Sequence, residues 1–277
     1  MTMAAARAGS PGAGVRGSGI LGRRGSHPGL ASRWAMGFLG LFIAGGIWQL
    51  SAQLAHSPVY PTASSAIADL GGFFSNGNLS SVIGVSLLRL VLGFVLSVVL
   101  GVGLGLFVGY SATANDYLAA LIDFARSIPF PLILPLMIVI AGFGTRTVVL
   151  LIVLTSLWPL LVNTADAARS VDPLVYDVVK ACKLPRAKAF GRVLFPAILP
   201  EILAGMRVAV GISLAALVIA EMIGASNGIG YYIVNAQSSF DSRATYAGVI
   251  LLGGFGWIAD TAFLALERRA LRGRPTS

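Results

Sequence analysis

Six apolar segments organise the chain: 34–54, 82–110, 118–141, 147–162, 201–224 and 245–266. About 20 apolar residues cross a hydrocarbon core as a helix, so each segment reads as a membrane span. No alternation of apolar and polar positions suits a membrane β-barrel. The predicted fold class is therefore all-α and polytopic, with six transmembrane helices. Between the fourth and fifth spans lies a polar, basic stretch, Asp177 to Pro200. Across its start Val175, Val178, Val179 and Cys182 recur at i, i+3, i+4 and i+7, one face of a helix. Phe190, Val193 and Leu194 form a second such face, with Lys188 and Arg192 opposite. Proline ends or kinks a helix, so Pro185 divides the stretch into two short amphipathic helices. Such a pair between two spans can dock on a soluble partner.

The spans carry irregularities of their own. Gly93, Gly101, Gly105 and Gly109 recur at spacings of four or eight in the second span, a groove into which another helix packs. Arg89 lies near the end of that span, within snorkelling reach of the interface. The third span holds Pro129, Pro131 and Pro135, which break it. Broken backbone at membrane depth must face protein or a water-filled cavity. Asp123 and Arg126 precede the break, as a local ion pair or as lining of a pathway. Glu221, near the end of the fifth span, reaches the headgroups or gates the outer mouth. The segments 111–117, 163–173 and 225–243 read as loops. Within the polar stretch 56–80, Ala63 to Phe74 reads as a short surface helix and Asn76-Gly77-Asn78 as a turn.

Composition agrees. Of 277 residues 56% are apolar and 11% charged, with mean hydropathy +0.83, whereas soluble domains carry about 25% charged residues. The net charge of +9 follows from topology rather than from nucleic-acid binding. With the amino terminus inside, cytoplasmic segments hold Arg7, Arg16, Arg23, Arg24, Arg33, Arg169, Lys180, Lys183, Arg186, Lys188, Arg192, Arg268, Arg269, Arg272 and Arg274. The external segments hold Arg146 and Arg243 alone. That asymmetry is the positive-inside pattern, and it places both termini and the amphipathic stretch in the cytoplasm of a plasma-membrane protein. Residues 1–33 read as a flexible basic tail, 34–266 as the membrane domain and 267–277 as a second basic tail.

The chemistry of an enzyme is missing from the sequence. There is no G-x-x-x-x-G-K-[ST], so ATP is not bound in that way. His27 and His56 lie outside the spans, and Cys182 is the sole cysteine, a small apolar packing residue. The expectation is no catalytic site, no metal and no cofactor.

The basic stretch resembles the EAA loop of bacterial ABC-importer permeases. Asp177-Val178-Val179 stands at the E-A-A positions, Lys183 at the glycine, and Val193-Leu194-Phe195-Pro196 at I-x-L-P. A lysine there enters positive φ only at a cost. Ser86 to Phe94, Pro129 to Leu136, Pro196 to Arg207, Ala220 to Gly224 and Gly228 to Tyr231 are similar to the nitrate/sulfonate/taurine branch of that family. The resemblance implies the six-helix type I importer fold with a cytoplasmic coupling helix. It implies two ATP-binding cassette subunits, an extracytoplasmic solute-binding protein and a second permease subunit, in a homodimer, within membrane lipid and with no nucleic acid. The solute is small and anionic or polar: nitrate, sulfonate, taurine, bicarbonate, or an aromatic or pyrimidine-like compound. Coupling falls to Val175, Asp177, Val178, Val179, Lys180, Ala181, Cys182, Lys183 and Phe190, and the pathway to Arg126, Ser127, Pro129, Asn163 and Glu221. The alternative is a self-sufficient secondary transporter or channel, which predicts inverted repeats and paired broken helices.

Overall fold

The structure, a computed structural model, describes residues 30–75 and 80–272. Most of the amino-terminal tail, the turn at Asn76-Gly77-Asn78 and residues 273–277 lie outside the described residues. The chain divides into two units, 1–46 and 47–277. The described part of the first is the start of helix α1 (Leu30–Ala55), which contains a segment apolar enough to cross a membrane, Met36–Ala55.

The second unit takes the rest of α1, then α2 (Ala63–Ser75), a π turn at Ser80–Gly84, α3 (Val85–Tyr110), α4 (Ala112–Ser127) and α5 (Phe130–Ala141). It continues with α6 (Thr145–Arg169), α7 (Pro173–Ala181), α8 (Arg186–Ala189), a π turn at Phe190–Leu194, α9 (Phe195–Gly224), α10 (Ile229–Ser238) and α11 (Ser242–Ala270). Among the described residues five helical runs are long and apolar enough to span, and six if α4 and α5, bent by 93°, count as one.

The glycine stripe explains the core. A Cβ at Gly93, Gly101, Gly105 or Gly109 would collide with Ile152, Leu160, Thr164 or Ala168 respectively. Each partner lies 59 positions further on (152 − 93, 160 − 101, 164 − 105, 168 − 109), so α3 and α6 run parallel at close approach. Small residues permit that approach, and dispersion between the touching backbones replaces the hydrophobic drive that lipid does not supply. Helix α9 runs antiparallel to α6: Gly205 meets Asn163, and the hydroxyls of Ser156 and Ser213 lie 2.7 Å apart. Leu134, Val148, Leu151, Ile152, Ala216 and Leu217 close the centre.

Several expected boundaries move. Helix α4 begins at Ala112, because the Ser111 side chain caps it by accepting from the Ala114 N–H, so 111–117 is not a loop. Helix α6 continues through Asn163 to Arg169, and its last turn is held by Arg169 bonding to Asp166 and Asn115. The second amphipathic helix is not separate. Arg186 to Gly224 forms one helical run whose π turn donates from the Phe195 N–H to the Phe190 carbonyl, five residues back. The run widens just before Pro196, where proline interrupts the regular ladder. The segment 225–243 contains α10, whose Ile229, Ile233 and Ala236 are buried, the two isoleucines packing with Phe73 and Leu251. Burial pushes the Tyr232 phenol of that helix above its usual range, and Asp69 and Asp241 push in the same direction.

Helices α7 and α10 end in the same way. After α7 the Leu184 N–H donates to the Val179 carbonyl and the Lys183 N–H to that of Lys180; Lys183 has φ +49°. After α10 the Asp241 N–H donates to Ala236 and the Phe240 N–H to Gln237; Phe240 has φ +56°. Both are Schellman closures with a side chain where glycine is favoured. The turn that Lys183 makes costly is therefore formed, with lysine in the left-handed region.

Candidate functional site

The break between α4 and α5 opens a cavity of about 590 Å³. Pro129 caps α5 and Pro131 lies in its first turn, so the chain turns through 93° at Ile128-Pro129 without needing the missing donors. Arg126, Ser127, Pro129, Phe130, Thr155, Trp158 and Asn163 line the cavity. The Arg126 guanidinium pairs with Asp123 at 2.9 Å, and both side chains are more than half exposed. Water screens such a pair, leaving the guanidinium able to exchange partners. The Ser127 hydroxyl donates to the Asp123 carbonyl at 2.6 Å, and the Asn163 amide donates to the Pro159 carbonyl at 2.7 Å. Four of the five expected pathway residues thus meet at one cavity, wetted by one cation and several hydroxyl and amide groups. Arg126 makes the local pair with Asp123 and also lines the cavity.

Glu221, the fifth, does not line this cavity. It is fully buried and forms an ion pair with Arg89 at 2.8 Å. Arg89, 2% exposed, therefore does not snorkel, and Glu221 does not reach headgroups. An unpaired charge in hydrocarbon is costly, and two of opposite sign within reach pair instead. Ser86 donates to both Glu221 oxygens at 2.8 and 2.9 Å and accepts from the Ile229 N–H. The Gly230 N–H donates to Glu221 at 3.0 Å. Arg89 also donates to Thr145 Oγ1 and to the backbone and side-chain oxygens of Asn227. The signal in the sequence was one cation and one anion, Arg89 and Glu221, each near the outer end of its apolar span.

At the opposite ends of α3, α6 and α9 lies α7. Asp172 caps it by accepting from the Leu174 N–H at 2.8 Å, with Pro173 in the first turn. Val175 and Val179 are half-buried, whereas Val178, Ala181 and Cys182 are exposed. The expected apolar face therefore divides. The outward stripe is Leu174, Val178, Ala181 and Cys182, at i, i+4, i+7 and i+8, and it includes Leu174, 65% exposed, which the sequence reading left out. Lys180 approaches Asp177 at 3.8 Å on the rim, and Lys183, Arg186 and Lys188 are exposed beside it. Phe190 turns back on the bundle, with its ring 6.1 Å from that of Tyr110 and 5.8 Å from that of Phe195.

Residues 97–272 match the family model described as "Binding-protein-dependent transport system inner membrane component". The chain is 31% identical over 243 residues to a protein named as the aliphatic sulfonates transport permease SsuC of Bacillus subtilis, covering 87% of this chain and 88% of that one. It is 31% identical to the nitrate import permease protein NrtB of a Synechocystis species, over 80% of this chain and 83% of that one. Its fold is similar to a chain of the MetNI methionine ABC transporter, with a TM-score of 0.61 at 16% identity, covering 69% of this chain and 94% of that one. The match does not support the alternative of a self-sufficient carrier. The chain belongs to the family of binding-protein-dependent transport system inner membrane components: it is a membrane-spanning permease subunit of an ABC importer, and the ATPase is a separate subunit.

Proposed function

We propose that this permease carries a small anionic or polar solute through the cavity at the α4–α5 break, in a pathway built with a second copy of the chain. The observation that carries this reading is the convergence of Arg126, Ser127 and Asn163 on one cavity. A half-exposed guanidinium beside hydrogen-bond donors suits a solute bearing negative charge. The relatives named for sulfonates and nitrate, and the taurine transport system permease protein TauC of Escherichia coli at 29% identity, agree with that class. An extracytoplasmic binding protein delivers the solute on the side of the Arg89–Glu221 pair, and both termini face the cytoplasm. Two ATPase subunits each receive an α7, with the stripe Leu174, Val178, Ala181 and Cys182 as anchors and Asp177, Lys180 and Lys183 at the rim. Helix-in-groove docking uses anchors at this spacing, and rim charges set orientation more than affinity. The test pairs a binding screen of the cognate binding protein against nitrate, taurine, alkanesulfonates, bicarbonate and pyrimidines with uptake of the compound bound. Arg126→Ala is expected to lower that uptake at least tenfold; unchanged uptake removes Arg126 from the pathway.

A further inference from the structure

Two stretches that mark the family in the sequence, Ser86 to Phe94 and Ala220 to Tyr231, are joined by side chains in the structure. Glu221 receives Arg89, Ser86 and the Gly230 N–H. Arg89 extends the network to Thr145 at the start of α6 and to Asn227 in the turn between α9 and α10. The turn has no slack. A Cβ on Gly228 would fall inside the Glu221 carboxylate, and one on Gly230 would lie 2.5 Å from the Val218 carbonyl. Gly228 holds φ +107°, which a side chain rarely adopts. Each carboxylate oxygen and each guanidinium nitrogen has a partner, and both side chains are sealed from solvent.

Parting these elements would break a fully buried ion pair together with the hydrogen bonds that both its members share. The segment at the α4–α5 break contrasts with it: its Arg126–Asp123 pair is exposed, and the Ile128 N–H reaches the Ala125 carbonyl at 3.4 Å. We propose that Arg89, Ser86 and Glu221 are positioning residues for transport. They clamp the α9–α10 turn against the first turns of α3 and α6, and these four elements pass through the ATP cycle as one rigid block. Packed elements switch between discrete arrangements rather than deforming continuously, and the clamp fixes which elements stay together.

The experiment uses the permease purified with its ATPase, and the probe is ATP with orthovanadate, trapping being verified by loss of hydrolysis. Spin labels attached through genetically encoded keto side chains at Leu88 on α3 and Ser238 on α10, both exposed, report across the clamp without touching it. Their mean separation is expected to change by less than about 1 Å on trapping; a change above about 3 Å overturns the proposal. In Glu221→Gln the same separation is expected to become nucleotide-dependent, moving by more than about 3 Å. If it stays as fixed as in the parent, Glu221 does not position the turn. Should that variant fail to fold, a second one decides. A Cβ on Gly224 would lie 3.6 Å from Thr147 Cγ2, so Thr147→Cys with Gly224→Cys can bridge α6 and α9. Oxidation is expected to leave ATP hydrolysis by the complex within twofold of the reduced form, normalised to the parent treated alike. A tenfold loss on oxidation means that these elements part during the cycle, and the proposal fails.

Discussion

The parallel contact between α3 and α6 makes a prediction in which two glycines, two residues apart, respond with opposite sign. A Cβ at Gly105 would lie 2.6 Å from Thr164 Cβ and 2.7 Å from the Leu161 carbonyl oxygen. Ordinary contact is about 3.5–4.0 Å, so the helices must part by about 1 Å. One of the two obstacles is backbone and cannot rotate away. Overpacking of this kind costs about 1–3 kcal/mol, and the better helix propensity of alanine returns about 1 kcal/mol. The net loss for Gly105→Ala is up to about 2 kcal/mol. Gly103 meets nothing within 4 Å and is exposed. Gly103→Ala therefore keeps the propensity gain of about 1 kcal/mol with no opposing clash. The variants differ by the overpacking cost, about 1–3 kcal/mol, or roughly 2–12 °C in apparent Tm for a chain of this size. Heating the purified protein in detergent and measuring the fraction that remains monodisperse on size-exclusion chromatography reads this gap. Equal midpoints for the two variants would refute the close-packed register.

Other consequences follow from particular side chains. Val178→Asp places a charge in the outward stripe of α7; the protein is expected to insert and fold, to lose ATPase co-purification at least tenfold and to lose uptake, and normal co-purification moves the docking surface elsewhere. Phe240, 93% exposed, sits in left-handed backbone that costs an L residue about 1 kcal/mol or more. Phe240→Gly is expected to raise the apparent Tm by roughly 1–3 °C, and a lower Tm would mean that the ring packs against something. Removing one member of a buried ion pair costs about 3–5 kcal/mol, so Arg89→Ala is expected to reduce the yield of folded protein far more than Arg126→Ala does, checked by the monodisperse fraction after purification. Cys182, exposed on the α7 side, should resist an impermeant thiol reagent in intact cells, whereas Ser238→Cys should react; the reverse pattern inverts the topology.

The spans and the break in the third were legible in the sequence because both rest on local properties. Hydropathy marks a lipid-facing helix residue by residue, and Pro129 with Pro131 marks the break locally, whereas Pro135 lies inside α5 without ending it. The glycine stripe was legible for the same reason, although its partner helix was not. Helix α10 escaped notice because Ile229, Ile233 and Ala236 lie among Gly, Asn and Ser residues that read as punctuation, while burial against α9 and α11 supplies the stability. The clamp was hidden by distance. Arg89 and Glu221 are 132 positions apart, and each alone suits an interfacial residue. The face of α7 divides because the chain's own packing half-buries Val175 and Val179 and leaves Val178 exposed. Periodicity finds Val175, Val178 and Val179 together and does not separate them.

The chain is expected to transport only when a separate ATPase drives it. The direct measurement is uptake into proteoliposomes of the compound returned by the binding screen, with permease, ATPase and binding protein reconstituted together and each omitted in turn. Uptake is predicted to require all three, with ATP on the side of α7. Uptake by the permease alone, sustained by an ion gradient without ATP, would contradict the account.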